Sequence, residues 1–247
     1  MKPAKGAKPA DDVGEILGRL AVGELDHGER GRLLASLTRS LSGVMRGAGT
    51  RAALSGKVLV DLVTDEIVPH LPVRDLLSLR SHHHGLSGDD LAKALIKNAA
   101  RTTAGLGAAA GALASVEFAA PPGLLAAPVQ LAAETLAVVA VELKLVAELH
   151  VVYGRSPQGS APQRTVAYLT SWAARRGLDR DGAGLSLSSV LSSAARQQLR
   201  QRIVRRLGRN LTSLAPFFAG AVAGAELNRR ETVSLGDCLV SDLRMRR

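Results

Sequence analysis

Three carboxylates and an imidazole, Glu134, Glu142, Glu148 and His150, interrupt a long apolar stretch in the middle of the chain. Groups of this kind in an apolar setting supply acid–base catalysts and metal ligands. Their spacing does not favour convergence. Glu134 and Glu142 stand eight apart, about 80° around a helix, so they share no sharp face, and the Glu-x-x-His pair of carboxylate metal bundles is absent. Ion-pair partners such as Arg101 or Lys144 are the expectation. His82, His83 and His84 raise the same question, but adjacent helical residues point about 100° apart, and no Glu or His stands three or four positions away to complete a metal set. They read as a basic helix C-terminus favoured by the helix dipole. The chain has no GxxxxGK[ST], GxGxxG after a strand, HExxH, CxxC or GxSxG. The expectation is a non-enzymatic protein with no cofactor or metal, the alternative being an enzyme of unrecognised type with a Glu/His site.

The second chemistry is cationic. The chain of 247 residues has a formal net charge of +10, and residues 163–209 hold ten arginines against two aspartates. Within "SAARQQLRQRIVRRLGRN", Leu199, Ile203 and Leu207 form one face, while Arg196, Arg200, Arg202, Arg205, Arg206 and Arg209 occupy much of the rest. Tyr168 and Trp172 lie four apart just upstream. A basic amphipathic helix with neighbouring aromatics suits an anionic membrane surface. The bland reading is compositional, with arginine standing wherever any cation serves. A nucleic-acid partner rests on charge alone, because aromatic residues that stack bases make up only 2% of the chain. A protein partner, for a soluble scaffold, is the other reading. Cys238 has no second cysteine to pair with, and the N-terminus lacks the apolar core of a secretory signal. These features lead to the expectation of a cytoplasmic protein, peripheral at the inner face of the cell membrane.

The elements that must position these groups read as helices. Hydrophobic residues make up 46% and charged residues 22%, and the apolar residues are chiefly Ala, Leu and Val, which suit close helix packing. Residues 1–12 read as a disordered basic tail, and residues 13–247 as one helical domain. Helices are expected in "GERGRLLASLTRSLSGVM", in "RAALSGKVLVDLVTDEIV", and from Pro72 through "VRDLLSLR", with Gly85 as its stop and Ser87 and Asp90 as the next start. Two long arms follow, residues 87–120 and 123–154, separated by Pro121, Pro122 and Gly123. The sequence thus predicts an all-α bundle around a central Ala/Gly-rich helical hairpin. Lipid insertion of that hairpin is the competing reading; against it stand the short uncharged runs and the embedded glutamates. A helix should also form in "RTVAYLTSWAARRG", between loops at "RSPQGSAPQ" and "DRDGAGLSLSS".

Small residues recur every fourth position at Thr103, Gly107, Gly111 and Ser115, and again at Pro216, Gly220, Gly224, Asn228, Thr232 and Gly236. Such ridges let a second backbone come close, so Gly107, Gly111, Gly220 and Gly224 are expected at tight helix crossings. Asn228 with Glu231 reads as a capping box that ends one helix near Leu227 and starts another at Arg229. The segments "NAARTTAGLGAAAGALA", "ETLAVVAVELKLVAELHVVYG" and "APFFAGAVAGAELNRRETVSLGD" resemble the EcsC family, over roughly residues 98–243. The resemblance implies a helical protein of membrane-linked bacterial physiology. It implies no activity.

Overall fold

The computed structural model describes residues 9–22, 24–48, 62–63, 70–118, 127–159, 163–164, 167–169, 171–172 and 217–245. These residues form an all-α bundle of packed helices: α1 (Pro9–Val22), α2 (His27–Ala48), α3 (Leu76–His82), α4 (Gly88–Phe118), α5 (Ala127–Val152) and α6 (Phe217–Met245). No strand occurs among them. The arginine-rich residues Arg196, Arg200, Arg202, Arg205, Arg206 and Arg209 lie outside the described residues, as do the Pro-Pro-Gly turn and most of "RAALSGKVLVDLVTDEIV".

The tail expected over residues 1–12 gives way to helix earlier than its composition suggests. Pro9 opens α1, where a proline's fixed φ suits the first turn and its missing N–H costs nothing. Val13, Leu17, Leu20 and Ala21 then form a buried stripe against α2 and α5. At the start of α2, Asp26 Oδ1 accepts from the Glu29 backbone N–H at 2.7 Å. The helix expected from Pro72 starts later, because the Asp75 carboxylate accepts the Ser78 N–H at 2.8 Å and so fixes the cap there. It ends in the histidine run: His84 takes a left-handed φ of 52° and Gly85 follows at 80°. Gly85 N–H reaches back to Arg80 O at 2.8 Å, the longer bond of a Schellman ending in which His84 takes the left-handed position.

The helix α5 is the axis of the described bundle. Every residue from 130 to 149 is buried, which follows from a sequence apolar nearly all the way round. Four helices, α1, α2, α4 and α6, pack on it. At its end Gly154, with φ 64°, turns the chain, and Arg155 N–H bonds to His150 O at 2.8 Å. The two arms of the hairpin run antiparallel. Gln130 near the start of α5 donates to Ala110 O of α4 at 3.0 Å, and Tyr153 beyond its end donates to Asp89, at the start of α4, at 2.7 Å. No described helix is long and apolar enough to cross a membrane.

Candidate functional site

Burying α5 also buries its polar residues, and each then needs a donor or acceptor from a neighbour. Helix α6 supplies several, because it runs antiparallel to α4 and touches α5. It is one unbroken helix from Phe217 to Met245, which corrects the expected break at Asn228. The Asn228 side chain is 3% exposed. Its Nδ2 donates to Thr103 O at 3.2 Å and to Glu134 Oε1 at 3.3 Å. An asparagine caps a helix when its own backbone is its best partner; here two other helices offer better ones.

One turn on, the hydroxyls of Thr232 and Thr103 meet at 2.9 Å, and Thr232 donates to Glu142 Oε1 at 3.3 Å. The other Glu142 oxygen accepts from Trp172 Nε1 at 2.9 Å. A buried polar spine therefore ties α4, α5, α6 and the segment around residue 172 together. The 80° between Glu134 and Glu142 proves small enough for one helix to engage both, since a packed helix faces a stripe about 100° wide or more.

Trp172 is 1% exposed. It does not present its ring to a surface, as its place beside the arginines suggested. Indole burial is large in area, and the N–H must then find an acceptor. Glu142 is that acceptor.

The remaining candidates on α5 are held apart from the spine. Glu148 accepts Lys144 Nζ at 2.6 Å, both side chains being buried. Lys144 was an expected partner; Arg101 is exposed and makes no described ion pair. His150 sets its Nδ1 2.7 Å from Val146 O, and its ring meets Tyr168 edge-on, 5.4 Å between centroids. The three glutamates and the histidine thus occupy three neighbourhoods rather than one catalytic centre. In the histidine run, His82 Nδ1 lies 2.8 Å from Ser78 O. Burial lowers the His83 pKa, with Glu148 opposing and Arg74 adding to the fall. No cluster of three or more His, Cys, Asp or Glu suited to a metal occurs among the described residues.

Of the four glycines expected at crossings, Gly107 and Gly224 face each other between α4 and α6. A β-carbon on Gly107 would stand 2.8 Å from the Gly224 carbonyl carbon and 2.9 Å from Ala225 N. Gly236 approaches Ile96 in the same groove. Gly111 lies on α4 and Gly220 on α6.

Sequence reasoning missed Arg30. It sits on α2, 6% exposed, and its guanidinium lies over Gly105 of α4, where a β-carbon would stand 2.9 Å from Cζ. The only local signal was a glycine inside a helix, which often marks a close approach.

No family model, curated protein or solved structure matches the chain.

Proposed function

We propose that the protein is a non-enzymatic helical protein that docks peripherally on anionic membrane surfaces through its arginine-rich segment, at the cytoplasmic face of a bacterial membrane, as its likeness to the EcsC family implies. The observation that carries this reading is the charge distribution: ten arginines against two aspartates over residues 163–209. Each cation near an anionic surface contributes about 1 kcal/mol, so several together offset the entropy lost on docking.

The geometry supports it in one respect. Trp172, buried and bonded to Glu142, anchors the chain to the bundle a short distance before Arg175 and Arg176. The sequence pattern of Leu199, Ile203 and Leu207 opposite the arginines adds an apolar face for shallow insertion.

The test compares vesicles with and without anionic lipid, using wild type and a variant carrying Gln at Arg200, Arg202, Arg205 and Arg206. Wild type should bind the anionic vesicles and the variant should bind them weakly. Equal binding by the two proteins would remove the arginines from the account.

A further inference from the structure

A cavity of about 450 Å³ opens where α1, α2, the residues around α3, α4 and α5 come together. That is within the usual size of a small-molecule site. Four cationic side chains line it, Arg30, Arg74, Arg101 and Lys144, with two carboxylates, Glu24 and Glu148. Two of the cations have partners: Lys144 holds Glu148 at 2.6 Å, and Arg74 lies 4.0 Å from Glu24. Arg30 and Arg101 have no ion pair among the described residues.

Arg30 is the unusual member. A buried charge normally has a counter-ion, because desolvation costs several kcal/mol for an uncompensated ion. Arg30 spends one Nη2 hydrogen bond on Leu25 O at 3.0 Å, yet its buried Nε has no hydrogen-bond partner. Burial also lowers its pKa, with only Asp26 opposing. The fold nonetheless makes room for it: Gly105 lacks the β-carbon that would stand 3.3 Å from Nε. A buried cation with no carboxylate in salt-bridge reach among the described residues, in a cradle shaped for it, at the wall of a polar cavity, is the arrangement of an anion site.

We propose that this cavity binds a small phosphate monoester, its phosphate held by Arg30 and Arg101. Guanidinium groups match phosphate oxygens in paired hydrogen bonds, and two unpaired guanidiniums balance a dianion. Asn98 lines the same cavity and offers a further amide donor. Leu25, Leu95 and Leu145 supply apolar wall for the organic part. Lys144 stays with Glu148, and this pair sets the local field without adding net charge. The site is distinct from the arginine-rich segment of the preceding proposal and stands without it.

Binding to the full chain is measured by calorimetry and thermal shift with glycerol 3-phosphate, with glycerol as control, and with vesicles containing phosphatidic acid as a second source of the same headgroup chemistry. Wild type should bind the ester saturably and ignore glycerol. Arg101→Gln, at an exposed position, and Arg30→Gln should each weaken binding about tenfold or more, the loss of a charge-assisted contact. The variant altered at Arg200, Arg202, Arg205 and Arg206 should keep ester binding, so failure of either proposal is seen separately. Dependence on Arg30 and Arg101 found only with phosphatidic acid vesicles supports the same site with a lipid headgroup as its source. No saturable binding to either probe at millimolar phosphate, or equal binding by wild type and both single variants, would overturn the proposal. So would an Arg30→Gln protein that melts earlier without ligand and binds the ester as wild type does, for Arg30 would then be structural.

Discussion

Gly107 and Gly224 face each other across the α4–α6 crossing, but the two positions are not equivalent. A β-carbon on Gly107 would stand 2.8 Å from the Gly224 backbone, whereas one on Gly224 would lie 3.8 Å from Gly107 O, an ordinary contact. Gly107→Ala should therefore cost about 1–3 kcal/mol by overpacking. Gly224→Ala should be neutral, or stabilising by roughly 0.5–1 kcal/mol, because alanine loses less backbone entropy in a helix. Denaturant unfolding of both variants checks the asymmetry. Equal losses would mean that the helices approach symmetrically.

Asn228→Ala should destabilise by about 1–3 kcal/mol, since it strips a donor from the buried Glu134 carboxyl and from Thr103 O. Helix content should not fall. If Asn228 were a cap instead, circular dichroism would lose helix along with stability.

Trp172→Phe keeps an aromatic ring in place but removes the donor to Glu142 Oε2. We expect a loss of about 1–3 kcal/mol from the hydrogen bond removed from a buried carboxylate. Vesicle binding should persist under conditions where the variant is folded. A variant as stable as wild type that binds vesicles poorly would return Trp172 to the surface.

Asp89 joins the ends of three helical segments, accepting from Tyr153 at 2.7 Å and from Arg244 Nε at 3.0 Å. The Tyr153 hydroxyl first, then Arg244, holds its carboxyl below the ordinary 3.8. Because the folded pKa is the lower one, the clasp stabilises fully above the unfolded value and is lost as pH falls through the folded value. Glu226, held at about 2 by Arg229 and Arg230, acts with the same sign between its ordinary 4.5 and about 2. Wild type and Asp89→Asn should differ in melting temperature near neutral pH and converge in strong acid. A gap that widens on acidification would contradict this sign.

The architecture was legible where the signal repeats. Four-residue spacing carried the ridge of Gly107 and Thr103 and the facing ridge of Gly224, Thr232 and Gly236, and α5 declared its central place by being apolar on every side. Single polar residues were misread where a distant partner decides. Asn228 has the local grammar of a cap and Trp172 that of an interfacial aromatic, but Glu134 and Glu142, far away in sequence, claim both. The start of α1 was hidden because Lys, Pro and Ala dominate the first residues, although Val13, Leu17 and Leu20 already had helical spacing. The cavity was illegible for a different reason. Arg30, Arg74, Arg101 and Lys144 come from separate segments, and no local pattern encodes their meeting.

The most direct measurement of the central functional claim is a partition experiment at one ionic strength. The full chain is offered anionic vesicles, neutral vesicles, and duplex or single-stranded nucleic acid, and the anionic vesicle arm is repeated with added salt. Anionic vesicles should be preferred over every other arm, with binding weakened as salt screens the arginines. Preference for nucleic acid, or binding to neutral and anionic vesicles alike with no response to salt, would contradict the account.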